Sequence, residues 1–134
     1  MPMRVYIITV DDSIYIPLYL DKVLSFTNED TIEVATLPLI NTGAIPQSFV
    51  HHLNVFGIRF VANIMMRTLL YKILDVLPQP FMGRFYSTEA VCKHYKIPHR
   101  QVKKVNSSHF VDYLENLNID IIVSLASNQV FKSR

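Results

Sequence analysis

The sequence predicts an α/β fold in which a mostly parallel sheet is flanked by helices. Residues 3–10 and 119–126 are almost continuously apolar and rich in β-branched side chains. This pattern is typical of strands that are buried on both faces, as in a parallel sheet. Helix-like segments alternate with strand-like segments along the chain, and such alternation favours parallel strands that are joined by helical crossovers.

The predicted elements follow from local patterns. In chain order they are a strand over residues 3–10, a helix over 14–26, a strand over 31–37, a helix over 47–77, a helix over 88–95, a short strand over 102–105, a helix that opens at 106–108, and a strand over 119–126. Pro17 lies in the first turn of the first helix, where proline is tolerated. Ser87 is placed to cap the third helix. Phe110, Leu114 and Leu117 share one face of the last helix.

The longest predicted helix has a polar stripe along one side. Arg59, Asn63, Arg67 and Tyr71 recur at every fourth residue, and the other faces are apolar. This pattern predicts a helix that is buried around most of its circumference. Gly57 is expected to divide the segment into two helices.

The composition indicates a single domain over residues 1–134 and excludes several classes of protein. Half of the residues are hydrophobic and 18% are charged, which excludes an intrinsically disordered chain. A net charge of +2 does not favour a nucleic-acid surface, and three glycines are too few for a glycine-rich phosphate loop. The single cysteine excludes an internal disulfide and predicts a reducing compartment, the cytoplasm. The apolar stretch at 55–77 carries four charged residues, so no membrane-spanning helix is expected.

Asp11, Asp12 and Ser13 directly follow the first predicted strand. Ligands of open α/β sheets bind beyond the carboxyl ends of the strands, where a pair of carboxylates suits Mg²⁺. The same residues suit helix capping, which is the interpretation that we favour. The segment VDDS also resembles the start of a response-regulator receiver domain, yet residues 54–57 hold no aspartate where a receiver has its phosphoacceptor.

The other reactive side chains are interpreted as structural or solvated. The five histidines show no metalloprotease-type spacing; they are His51, His52, His94, His99 and His109. Cys92 has no catalytic signature around it, so we predict a buried thiol. The basic cluster at 93–104 would suit phosphate or RNA, but the small net charge favours a solvated face.

Four segments carry a resemblance when they are taken together. Residues 3–24 and 53–77 have the pattern of a first strand and helix and of a long helical insertion, and residues 126–132 read ASNQVFK. Residues 94–125 contain Y-K-I-P, V-N-S and D-I-I-V-S in that order. This order and spacing are similar to the amino-terminal part of the formyltransferase family, which includes methionyl-tRNA, glycinamide ribonucleotide and sugar N-formyltransferases.

The resemblance implies a Rossmann-like three-layer sandwich that transfers a formyl group from 10-formyltetrahydrofolate to a small-molecule amine. It implies that Gln129, Val130 and Phe131 contact the pterin ring, largely through backbone groups. It also places Asp11, Asp12 and Ser13 where the glycinamide ribonucleotide enzymes hold phosphate on glycines, so that substrate is disfavoured. The helical insertion is similar to that of the sugar-formyltransferase-like branch, and it favours this branch or an uncharacterised one over the tRNA enzyme. An amino sugar nucleotide is one amine that this resemblance implies, and the acceptor stays open.

The catalytic residues of the resembled family have no counterpart in this chain. Its Asn-x-His motif and downstream aspartate follow the ASNQVFK-like segment, whereas this sequence ends at Arg134. We therefore expect a truncated lobe that is catalytically silent, with self-association through the open edge of the strand over 119–126. The alternatives are a non-catalytic α/β module that binds a ligand or a protein partner and, third, a receiver-like domain.

Overall fold

The structure is a computed structural model that describes residues 3–27, 31–38, 51, 53–77, 80, 82–127, 129 and 131. Four strands form one sheet: β1 is Arg4–Val10, β2 is Thr31–Leu37, β3 is His99–Gln101 and β4 is Ile121–Leu125. All pairings are parallel and the strand order is β3-β2-β1-β4. The predicted α/β class with a parallel sheet is confirmed.

Four helices are assigned in the described residues: α1 is Ile16–Ser25, α2 is Ile58–Leu74, α3 is Thr88–His94 and α4 is Ser108–Asn116. Residues 53–56 are also helical, and Gly57, at φ 77°, separates them from α2 as predicted. Residues 47–50 of the predicted long helix lie outside the described residues.

Helices cover both faces of the sheet, because successive side chains of a strand point to opposite faces. On one face Tyr6, Ile8 and Val10 pack with Phe110 of α4. On the other face Ile7 packs with apolar side chains of α1 and α3, among them Leu20, Leu24, Val91 and Cys92. This arrangement is the predicted three-layer sandwich.

The short strand β3 lies three residues before its predicted position. The prediction followed the apolar Val102 and Val105, which are buried in the core but lie after the strand. The backbone N–H of Val102 donates to Thr36 O at 2.8 Å, so pairing with β2 continues one residue beyond β3. Strand β3 is polar because it lies at the edge of the sheet, where apolar patterning is weak.

The two ends of α3 are closed by different devices. Ser87 Oγ accepts a hydrogen bond from Ala90 N at 3.1 Å, which confirms the predicted N-cap. At the other end Ile97 N donates to Cys92 O and Lys96 N donates to Lys93 O, in the pattern of a Schellman motif. Lys96 takes the left-handed position, with φ 57°, that glycine usually occupies.

The prediction that α2 is buried around most of its circumference is wrong. None of its residues is buried; its best-covered side includes Val61, Ile64 and Tyr71, which are half-buried. Its exposed large apolar side chains, which we call the α2 outer face, are Ile58, Phe60, Met65, Met66, Leu69, Leu70 and Ile73. The physical reason is that α1 and α3 already cover the sheet face on their side, so apolar side chains of α2 find no second layer to pack on.

Candidate functional site

The site lies at the carboxyl edge of the sheet, where its winding reverses. The chain runs from β1 to β2 to β3 in one direction, with α1 and α3 on one face. It then returns past β1 to β4, with α4 on the opposite face. The switch point is therefore between β1 and β4, and ligands of doubly wound sheets bind in the crevice at such a point.

At this edge β1 is followed by Asp11, Asp12 and Ser13. The carboxylates of the two aspartates have different surroundings. Asp11 N donates to Leu37 O at 2.8 Å, which extends the pairing of β1 with β2, and the Asp11 side chain is exposed. Asp12 Oδ1 accepts from Ile14 N at 2.7 Å and so closes a local turn.

The favoured capping interpretation needs a correction. The N-cap of α1 is Tyr15, no side chain caps the helix, and its first turn contains no acidic residue. Pro17, in this first turn as predicted, has no N–H that would need a partner. Asp12 therefore stabilises the turn before α1 and leaves the helix end uncapped.

Gln129 follows β4, and its side chain hydrogen-bonds to the loop after β3. Its Oε1 accepts from Val105 N at 3.0 Å, and its Nε2 donates to Lys103 O at 2.8 Å. Its backbone N–H lies 3.3 Å from Ser127 Oγ. Phe131 is 45% exposed, and Val130 lies outside the described residues. The side chain of Gln129 thus positions the predicted pterin loop, a role that the sequence did not reveal.

The topology brings the two predicted segments to one edge. Thr9 of β1 is the register partner of Leu125 of β4, so Asp11 and Ser127 leave neighbouring strands at corresponding depths. Ala126 turns the chain at the end of β4 with φ 54°, a left-handed conformation that an alanine adopts at a cost.

A polar cavity of about 150 Å³ lies at the same edge of the sheet, toward β2 and β3; its lining includes Asp11, Ser13, Thr36, Asp75, Thr88 and His99. His99 Nε2 lies 3.0 Å from Thr36 Oγ1, and burial lowers the pKa of His99, so its imidazole is neutral at pH 7. The described residues include no group of three or more His, Cys, Asp or Glu side chains arranged to hold a metal ion. Sequence reasoning missed this cavity because its residues come from five separate segments, and no short motif joins them.

The other candidate residues fall into structural or surface positions. Cys92 is 1% exposed, so the prediction of a buried thiol is confirmed, and burial raises the pKa of this thiol to about 12. The His94 ring packs 5.0 Å from the Phe85 ring. In the basic cluster, Arg100 lies over the Tyr113 ring at 3.8 Å and Lys103 is exposed. His52 lies outside the described residues.

No helix in the described ranges is both long enough and apolar enough to cross a membrane. Comparison of the chain with protein-family models, with curated proteins and with solved structures found no match. The case for a function therefore depends on the geometry of the carboxyl edge.

Proposed function

We propose that this chain is the folate- and nucleotide-binding lobe of a formyltransferase-type protein that uses 10-formyltetrahydrofolate. The observation that carries the proposal is the pairing of β1 with β4, which sets the loops after both strands side by side at the switch point. The order and spacing of the sequence segments suggest the identity of the ligand, and the parallel pairing of β1 with β4 supports its expected place.

The loop after β4 is suited to an aromatic heterocycle. Gln129 holds this loop through two hydrogen bonds of its side chain, so its backbone is fixed before a ligand arrives. Pre-organised loops lose less conformational entropy when they bind. The exposed ring of Phe131 offers an apolar face on which a pterin can stack.

The second loop supplies the side of the crevice where the acceptor amine binds. Asp11 is exposed there, and Ser13 is half-buried. The exposed carboxylate attracts the amino group of an acceptor, and the segment 11–13 has no glycine to hold a phosphate through backbone N–H groups, which disfavours glycinamide ribonucleotide. We place the protein in the cytoplasm, where its one thiol stays reduced, and we assign it no formyl-transfer turnover on its own.

The experiment is calorimetric titration of the chain with 5-formyltetrahydrofolate, a stable analogue of the formyl donor. We expect saturable binding that Gln129→Ala weakens at least about tenfold, because the loop loses both side-chain hydrogen bonds. Asn116→Ala, which removes a single bond to Asp112 O within α4, is the matched control and leaves binding unchanged. Absence of heat at millimolar folate contradicts the proposal. Turnover with 10-formyltetrahydrofolate contradicts the assignment of a silent lobe.

A second candidate is a non-catalytic module that binds a protein partner. The α2 outer face favours it, since apolar patches of this kind often mark interaction surfaces. Charge substitution there, for example Leu69→Lys, would abolish partner binding and leave folate binding intact. The receiver alternative is disfavoured because receivers place β1 between β2 and β3, whereas here β1 lies between β2 and β4.

A further inference from the structure

The polar cavity at the carboxyl edge of the sheet contains buried polar atoms that lack partners within the described residues. Thr88 lines it, is 1% exposed, and has an Oγ1 to which no other group of the described residues hydrogen-bonds. The same holds for the buried Oδ1 of Asp75, which also lines the cavity. Each such atom costs free energy unless something in the cavity bonds to it.

The atoms without partners define the chemistry of a ligand. Asp75 Oδ1 accepts hydrogen bonds, and the Thr88 hydroxyl both accepts and donates. The ligand must therefore carry a donor for Asp75 and a group, such as a hydroxyl, that bonds to Thr88 as donor or acceptor.

The charges that line the cavity add a second condition. Asp11, Asp75 and Glu89 are acidic, whereas Lys72 is the basic side chain in the lining. The excess of carboxylates disfavours an anion and favours a cation. His99 adds no positive charge at pH 7, because burial lowers its pKa.

A metal ion fits these conditions less well than an organic cation. The described carboxylates and histidines are not grouped as metal ligands, and much of the lining consists of hydroxyl groups. At about 150 Å³ the cavity has room for about five water molecules, or for a molecule of similar bulk.

We propose that this cavity binds a small primary ammonium ligand that carries hydroxyl groups. The ammonium group lies against Asp75 and the hydroxyl groups bond to Thr88 and its neighbours. Asp11 and Ser13 belong both to this cavity and to the acceptor side of the proposed folate site, whereas the described residues of the loop after β4 line no part of the cavity. A chain that fails to bind folate can therefore still bind the ammonium ligand.

The test uses 2-amino-1,3-propanediol as the probe and glycerol as the neutral control of the same skeleton. In ¹H–¹⁵N spectra of the full chain we expect saturable shifts at Asp75, Thr88 and His99, with glycerol at least about tenfold weaker. Asp75→Asn should weaken the ammonium ligand about tenfold or more, whereas Glu115→Gln, an exposed charge change on α4, should not. Equal shifts for the two compounds, or none at millimolar concentration, would overturn the proposal.

Thr88→Val separates a ligand site from a purely structural hydroxyl. Because no protein group of the described residues bonds to Thr88 Oγ1, the isosteric valine should raise the melting temperature and still weaken binding of the probe. If Thr88→Val lowers the melting temperature and leaves probe binding unchanged, the hydroxyl serves the fold and the proposal fails.

Discussion

Strands β1 and β4 have similar sequences and opposite environments. Both are short apolar segments, RVYIITV and IIVSL, and they pair with each other in parallel. Strand β1 is buried between β2 and β4, and Ile8 at its centre is 0% exposed. Strand β4 lies at the sheet edge, and Ile121 and Ile122 are 43% and 49% exposed. An apolar strand pattern therefore indicates a strand, whereas burial depends on what lies beside it.

The largest expected difference is between the alkylation rate of a thiol in the core beside β1 and that of a thiol placed on the exposed strand β4. Cys92 packs in the core cluster that contains Ile7 of β1, and burial raises the pKa of its thiol, so it should react only when the chain unfolds. Ser124→Cys, at an exposed position of β4, should be alkylated at least about a thousandfold faster at pH 8. Rates of iodoacetamide labelling, with unfolded protein as the reference, measure this ratio. Comparable rates in the native chain would show that the core near β1 opens as readily as the edge.

The next effect is on the free energy of unfolding. Ile8→Ala should cost about 3 kcal/mol, because it leaves a cavity between β1 and α4. Ile122→Ala, the same deletion at the edge, should cost less than about 1 kcal/mol. Urea denaturation followed by circular dichroism checks both values. If the two costs were equal, β4 would have to be covered in solution.

Self-association of the chain would cover β4 in solution, and it is the third prediction. Within the described residues no strand pairs with the outer edge of β4, so we expect two copies to meet there. Ile122→Lys should weaken association at least about tenfold in sedimentation experiments, because it places a charge in the contact. Leu18→Lys, an equally exposed position on α1, is the control and should change nothing.

The α2 outer face is the competing contact for self-association. If Leu69→Lys dissolves the assembly and Ile122→Lys does not, the copies meet through α2 and the β4 prediction is wrong. A chain that stays monomeric at high concentration contradicts both contacts.

The smallest effect concerns how each strand ends. Strand β1 continues into Asp11, which still pairs with β2, whereas β4 ends at Ala126 with φ 54°. Ala126→Gly should stabilise the chain by about 1 kcal/mol, since glycine adopts this conformation without a steric penalty. Ala35→Gly, inside β2, should destabilise it instead. Loss of stability in Ala126→Gly would mean that the turn is not left-handed in solution.

The sequence predicted the helices and strands well, but it predicted poorly which of them pack against one another. The helix and strand patterns placed β1, β2, α3 and α4 to within a few residues because backbone geometry sets the period of apolar residues. The position of β3 was wrong because Val102 and Val105 are buried without being strand residues. The predicted burial of α2 was wrong because an apolar pattern shows only that a helix can pack against other elements. Whether such elements lie beside the helix depends on the fold.

The candidate site was predicted only where residues follow strands directly. Asp11 and Ser13 could be placed at the carboxyl edge because they come after a recognisable strand. Thr36, Thr88 and His99 could not be grouped, since the cavity that they share forms only when distant segments meet. The double hydrogen bond of Gln129 to the loop near Lys103 spans about 25 residues and left no local signal.

Because β4 lies beside β1, the sheet can be completed only late in the synthesis of the chain. Arg4 N donates to Asp120 Oδ2 at 2.8 Å across a sequence separation of 116, so the contacts of the first strand are complete only after residue 120 has been synthesised. At typical ribosomal rates this delay is roughly 6 to 25 seconds, far longer than a hairpin needs to form. During that time the side of β1 that β4 will occupy remains unpaired on the nascent chain. A protein built this way depends on its early strand staying soluble until the late strand arrives.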